Sequence, residues 1–160
     1  MGEESRRITD TWLIDDDGTI QNGDFLLFKD GRFENSKGDE DVLETINGSS
    51  KIVTRSLQNW HTHMAMVLNR SMGEGLPLME WLETSIFPVE KGLTPKLVEV
   101  GTRAAVAEMI STGTTFACDM YYHPEIVGDV LAESGIRAKV CGPITDFPTP
   151  SYPNGPGEAL

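Results

Sequence analysis

The residues best equipped for chemistry sit together in the stretch 59-NWHTHMAM-66, where His61 and His63 are two of only three histidines in 160 residues. An extended segment sends alternate side chains to one face. The spacing therefore predicts Leu57, Asn59, His61 and His63 on one face, with Gln58, Trp60 and Thr62 on the other. Neutral imidazoles in such register can share one divalent ion, zinc or iron, at about 2.0–2.1 Å. A catalytic centre of this kind needs at least one further protein ligand and an open position for water, whose pKa it lowers from about 15.7 to about 7. The competing reading is a pair of core or edge-strand histidines satisfied by hydrogen bonds, and His-X-His alone does not decide between them.

The elements that must position this pair change character near residue 55. Before it, short apolar runs (ITDTWLI, DFLLF, KIV) alternate with turn chemistry, and Asp17-Gly18 and Asp30-Gly31 suit tight hairpins. The segment reads as a small antiparallel β unit, with 34-ENSKGDEDVLETINGSS-50 as a polar connection and Asn47-Gly48-Ser49 as a turn. After it, PLMEWLETSIF (77–87) has helical spacing stopped by Pro88. Thr94-Pro95 is an N-cap and first-turn pair for LVEVGTRAAVAEMI, which ends at Ser111 to Gly113. TTFACDMYY reads as a buried strand, PEIVGDVLAESG as a helix closing on Gly135, and IRAKVCG as another strand. Strand and helix in this alternation imply an α/β fold with parallel neighbours and right-handed crossovers. The proline-rich 146-DFPTPSYPNGPG-157 is expected to be irregular loop.

Thirteen Lys and Arg against 25 Asp and Glu give a net charge of −12, which repels phosphate backbones and anionic headgroups. Neither nucleic acid nor membrane is expected as a partner, and with no apolar centre in MGEESRRITD the expected location is cytoplasmic. Cys118 and Cys141 lie in apolar runs and are expected to be buried free thiols.

The block from Asn59 to His123, with NWHTHMAM, FPVE and AEMISTGTTFACDMYYH, resembles the amidohydrolase superfamily, in the branch of 5-methylthioadenosine/S-adenosylhomocysteine deaminases and related chlorohydrolases. The resemblance implies a partial (β/α)8 barrel over residues 56–160, preceded over residues 1–55 by the amino-terminal part of a small β-sandwich. It implies that His61 and His63 are metal ligands from the first barrel strand, that Glu90 holds the ribose hydroxyls of a nucleoside, and that Trp81 lines the same pocket. The implied reaction is hydrolytic deamination of a heterocyclic amine: water adds to the amine-bearing carbon of an aminopurine, a carboxylate moves the proton, and ammonia leaves. The family's further ligands, a third histidine and a late aspartate, and its His-x-x-Glu proton shuttle have no counterpart among these 160 residues. A whole barrel takes about 250 residues, so the expectation is an amino-terminal portion completed by a carboxyl-terminal segment.

Two departures stand out. Arg55-Ser56 replaces the usual Pro-Gly before the first barrel strand, and Cys141-Gly142-Pro143 stands where adenosylhomocysteine-type members carry an arginine. Each residue also has a structural reading: Glu90 as a solvated acid, Trp81 as core beside Leu78 and Leu82, Asn59 as a brace for the strand end and His123 as a cap for the next helix. Asp119 and Tyr121 follow strand-like sequence without an assigned role. Other activities in view are a chlorohydrolase or cyclic-amide hydrolase of the same superfamily. From a different class comes an inactive truncated paralogue acting as a subunit, in a homo-oligomer or paired with another chain through its open strands.

Overall fold

The computed structural model describes residues 4–155, and the chain divides into two compact units, Met1–Arg55 and Ser56–Leu160. In the first unit β1 (Ser5–Ile14) pairs antiparallel with β2 (Ile20–Phe28), which pairs antiparallel with β3 (Phe33–Asn35). Gly18 at φ 84° and Gly31 at φ 88° make the two expected turns. The unit is nevertheless not a purely antiparallel hairpin set. Glu44–Asn47 forms β4 and Ile52–Val53 forms β5, and both run parallel to β1. Strand β4 lies inside the stretch expected to be connection, because ETIN carries a single apolar residue. Its pairing of Ile46 opposite Ile8 is a tertiary event with no periodic signal.

Ile8, Thr11, Phe25 and Leu26 are buried in this unit. Its polar edge is held by Arg7, whose Nη2 donates to Glu40 Oε2 at 2.9 Å. The Lys37 amide, the Ser36 hydroxyl and Arg7 together hold the Glu40 carboxyl down at about 2.

The second unit is α/β. Strands β6 (Leu57–Thr62), β7 (Thr114–Met120) and β8 (Arg137–Cys141) form a parallel sheet in that order. The β6–β7 crossover holds a 3₁₀ segment (Met64–Asn69), α1 (Leu78–Trp81), a π turn (Leu82–Ile86), α2 (Phe87–Glu90) and α3 (Pro95–Ser111). The β7–β8 crossover holds α4 (Pro124–Ser134), closed by Gly135 at φ 74°. Thr94 Oγ1 accepts from the Leu97 amide at 3.3 Å, the cap its sequence implies.

Helical structure does not stop at Pro88 but continues to Glu90. The wide turn at Leu82–Ile86 lets a new segment begin at Phe87, and Pro88 then falls in a first turn, where a missing N–H loses no partner. That continuation is what delivers Glu90 to the interior.

The core lies between the sheet and its helices: Ala117 of β7 packs with Val98 and Val106 of α3 and Val127, Val130 and Leu131 of α4. Gly101 brings α3 against the 3₁₀ segment, where an added Cβ would lie 2.6 Å from the Ala65 carbonyl oxygen. The opposite sheet face carries Trp60, whose ring lies 4.6 Å from that of Phe116 with Lys139 Nζ 5.7 Å above it. Trp60 is 59% exposed. Both cysteines are free, but Cys141 is exposed and Cys118 half-buried, against the expectation of burial. Ala138 and Val140 take the helix side of β8, so alternation turns Cys141 away from the core. Residues 146–155 are irregular as expected; 156 and 157 lie outside the described residues. Among the described residues no helix is long and apolar enough to cross a membrane.

Candidate functional site

The two histidines come together at the carboxyl end of β6, although not through simple alternation. Asn59 pairs with Ala117 and Thr62 with Asp119, so three steps along β6 match two along β7. Ala117 and Asp119 share a face of β7. Asn59 and Thr62 therefore share that face too, and a bulged residue lies between them. His61 and His63, flanking Thr62, turn to the other face, the side of Trp60. The expected grouping of Asn59 with the histidines is thus wrong, while that of the histidines with each other holds. Asn59 supplies the brace: its Oδ1 accepts from the His61 amide at 3.2 Å, satisfying an N–H at the bulge.

The rings of His61 and His63 are 5.3 Å apart between centroids and edge-on, at 81°. His63 Nδ1 lies 2.6 Å from the Met120 carbonyl oxygen. A carbonyl only accepts, so Nδ1 carries the proton and the Nε2 lone pair is left free. Two imidazoles bound through nitrogen to one tetrahedral ion would have centroids roughly 5 Å apart. The observed spacing and free lone pair fit a shared divalent ion. Among the described residues no group of three His, Cys, Asp or Glu is placed to hold a metal.

A second layer surrounds His63. Asp119 is fully buried and its Oδ1 accepts from the Met64 amide at 2.6 Å. Its Oδ2 is buried with no partner among the described residues. Burial raises the Asp119 pKa, opposed by the Met64 amide and by His63.

Glu90 is 6% exposed, which excludes the solvated-acid reading. Tyr121 Oη donates to Glu90 Oε1 at 2.9 Å, and the Tyr121 ring lies 6.2 Å from that of His63. Tyr122 stands near enough to Glu90 for its hydroxyl to favour the ionised carboxyl as well. Burial raises the Glu90 pKa, and the two tyrosine hydroxyls and His63 oppose that rise. The Tyr121 and Tyr122 hydroxyls are pushed up in turn by burial and by Glu90, Tyr122 to about 12, so both remain donors at neutral pH.

Trp81 is half-buried and donates through Nε1 to the Met72 carbonyl at 2.8 Å, and a Cβ added at Gly73 would lie 2.8 Å from its Cδ1. Its polar contact is therefore with the 72–73 loop rather than with the histidines. His123 stands at the N-cap of α4 but makes no side-chain cap hydrogen bond; its ring faces Glu125 at 3.4 Å instead. A cleft of roughly 520 Å³ runs past Asn59, His61 and His63 toward Met66, Arg70 and Glu108.

Sequence reasoning gave Asp119 and Tyr121 no role. The available signal was the acid itself: Asp119 interrupts the apolar run TTFACDM at a position whose alternate, Ala117, is core.

Residues 52–158 match the model of the amidohydrolase family. The 5-methylthioadenosine/S-adenosylhomocysteine deaminase of Syntrophobacter fumaroxidans is 43% identical over 133 residues, 83% of this chain and 30% of that protein. The chain thus spans less than a third of that relative's length. Among solved structures, an adenosine deaminase from Xanthomonas campestris with bound zinc superposes with a TM-score of 0.88 at 26% identity, over 98% of this chain and 37% of that one. An atrazine chlorohydrolase from Arthrobacter aurescens complexed with zinc gives 0.71 at 20% identity, over 83% and 34%, a likeness of fold alone. The parallel βα units, the histidine pair at a strand's carboxyl end and the match over 52–158 have one common explanation: this chain belongs to the amidohydrolase family.

Proposed function

We propose that the chain carries the amino-terminal part of a metal-dependent aminohydrolase acting on an aminopurine nucleoside such as methylthioadenosine or adenosylhomocysteine. In this reading residues 56–160 are the first strand–helix units of a (β/α)8 barrel, and residues 1–55 begin a small β-sandwich. His61 and His63 hold one divalent ion, zinc by analogy with the zinc-bound relatives, and a complementing carboxyl-terminal segment supplies the remaining ligands and the proton shuttle. When bound, such an ion makes water acidic enough to act as a nucleophile near neutral pH.

The chain's own residues do the rest of its share. Met120 O orients His63, Asn59 orients the His61 backbone, and Glu90 accepts from substrate hydroxyls. A carboxylate has about four acceptor sites. With the Tyr121 hydroxyl on Oε1, the carboxylate keeps enough acceptor capacity for a vicinal diol. Trp81 closes the substrate side.

The carrying observation is the 5.3 Å pairing of His61 and His63 with Nδ1 of His63 committed to Met120. It is tested by titrating zinc into the chain and into His61→Ala and His63→Ala. Each substitution should weaken binding by at least about tenfold; equal affinity in all three removes the metal reading. Glu90 separates a nucleoside substrate from the chlorohydrolase alternative. With the complementing segment present, Glu90→Ala should impair deamination of methylthioadenosine and spare that of the free base, and equal loss on both would count against the ribose role.

A further inference from the structure

Two consecutive residues of β7 grip the two residues that follow β6. The Met64 amide donates to Asp119 Oδ1 at 2.6 Å, and His63 Nδ1 donates to Met120 O at 2.6 Å. The crossing falls where the ladder ends, since Thr62 opposite Asp119 is the final β6–β7 pair. Beyond it the chain leaves the sheet and enters the 3₁₀ segment, so no ladder bond holds His63. The Met64 amide is one of the unpaired donors at the start of that segment, and Asp119 captures it.

A neutral acceptor would satisfy one amide. A carboxylate with 0% exposure and one orphaned oxygen is a costly way to do so. The bulge between Asn59 and Thr62 sharpens the need for an anchor, because it loosens β6 just before the residue that must be aimed. Pinning the amide after His63 fixes the backbone on that side and sets the ring against Met120 O. Partners of this kind, one layer behind a metal ligand, fix its tautomer and ring orientation.

We infer that Asp119 is a positioning residue for His63, holding it through the Met64 amide in the Nδ1–H tautomer that presents Nε2 to a metal. The inference rests on the reading of His63 as a ligand, but its own claim is about the metal-free ring. Long-range ¹H–¹⁵N spectra of the metal-free chain read that tautomer directly, with His61 and His123 as internal references. In the wild type His63 should be the Nδ1–H form. Asp119→Asn, which keeps Oδ1, should preserve it. Asp119→Leu, which keeps the branching at Cγ and deletes the acceptor, should return His63 toward the mixture of an unconstrained imidazole, leave the His123 signal in place and weaken zinc binding by about 10–100-fold.

An Nε2–H His63 in the wild type overturns the inference, as does an unchanged His63 in folded Asp119→Leu. If Asp119→Leu does not fold, Asp119→Val takes its place; if neither folds, Asp119 serves the fold rather than the ligand and the inference is overturned. A wild type that shows the Nδ1–H form but does not bind zinc removes the metal reading and leaves the clamp standing.

Discussion

The Tyr121 hydroxyl donates to Glu90 Oε1 at 2.9 Å, tying the end of α2 to the residue that follows β7. The same residue places its ring 6.2 Å from that of His63, so Tyr121 stands between the buried acid and the histidine pair. The acid reaches this position only because the π turn lets the chain remain helical through Pro88.

Removing that hydroxyl leaves a buried acceptor short of a donor. Tyr121→Phe should cost about 1.5–3 kcal/mol, the range for hydrogen bonds to charged groups. Urea unfolding of the second unit measures it. A loss within error would mean that Tyr122 alone satisfies Glu90.

Glu90 should make the chain less stable as pH rises. Its folded pKa is raised above 4.5 by burial, so at pH values between the two the native state binds more protons than the unfolded one. The stabilising contribution is complete below 4.5 and is lost as pH climbs through the raised value. Unfolding free energies of wild type minus Glu90→Gln, followed from about pH 4 to about pH 8, should therefore fall. Parallel profiles would show that the carboxyl titrates as it does in the unfolded chain.

Glu40, in the first unit, should behave in the opposite sense. Held down to about 2, chiefly by the Lys37 amide, it supports the folded state fully above 4.5, and that support is lost as pH falls toward 2. Glu40→Gln should flatten the acid limb of the first unit's unfolding, monitored through Trp12. An acid limb unchanged by the substitution would count against this assignment.

Gly101→Ala should strain the seat of the site. Its Cβ would sit 2.6 Å from the Ala65 carbonyl oxygen and 2.9 Å from the Ala65 Cα, both backbone atoms that cannot rotate away. Helix α3 must then back off from the segment that follows His63, at about 1–3 kcal/mol for overpacking. Denaturant titration gives the cost, and the Met64 amide resonance should shift with it. Wild-type stability with an unmoved Met64 resonance would show that the contact of α3 with Ala65 yields without cost.

Legibility followed the range of each signal. Thr94-Pro95, Gly135 and the Asp-Gly turns act within a few residues of themselves, and each does in the fold what its type implies. Strand β4 escaped notice because ETIN depends on β1 for its pairing. The helix through Pro88 escaped because a π turn is not written in apolar spacing.

What the sequence determined by itself was the kind of fold and the kind of residue: strand–helix alternation after residue 55, two imidazoles one residue apart, and an acid at Glu90. Those are properties of a single segment. Which way the imidazoles face was decided by tertiary structure, because a bulge is a mismatch of count between two strands and no inspection of one strand reveals it. The same holds for the bonds of Asp119 to Met64 and of Tyr121 to Glu90, which span 55 and 31 residues. Burial turns such distant polar contacts into requirements, and burial exists only once the helices have closed over the sheet.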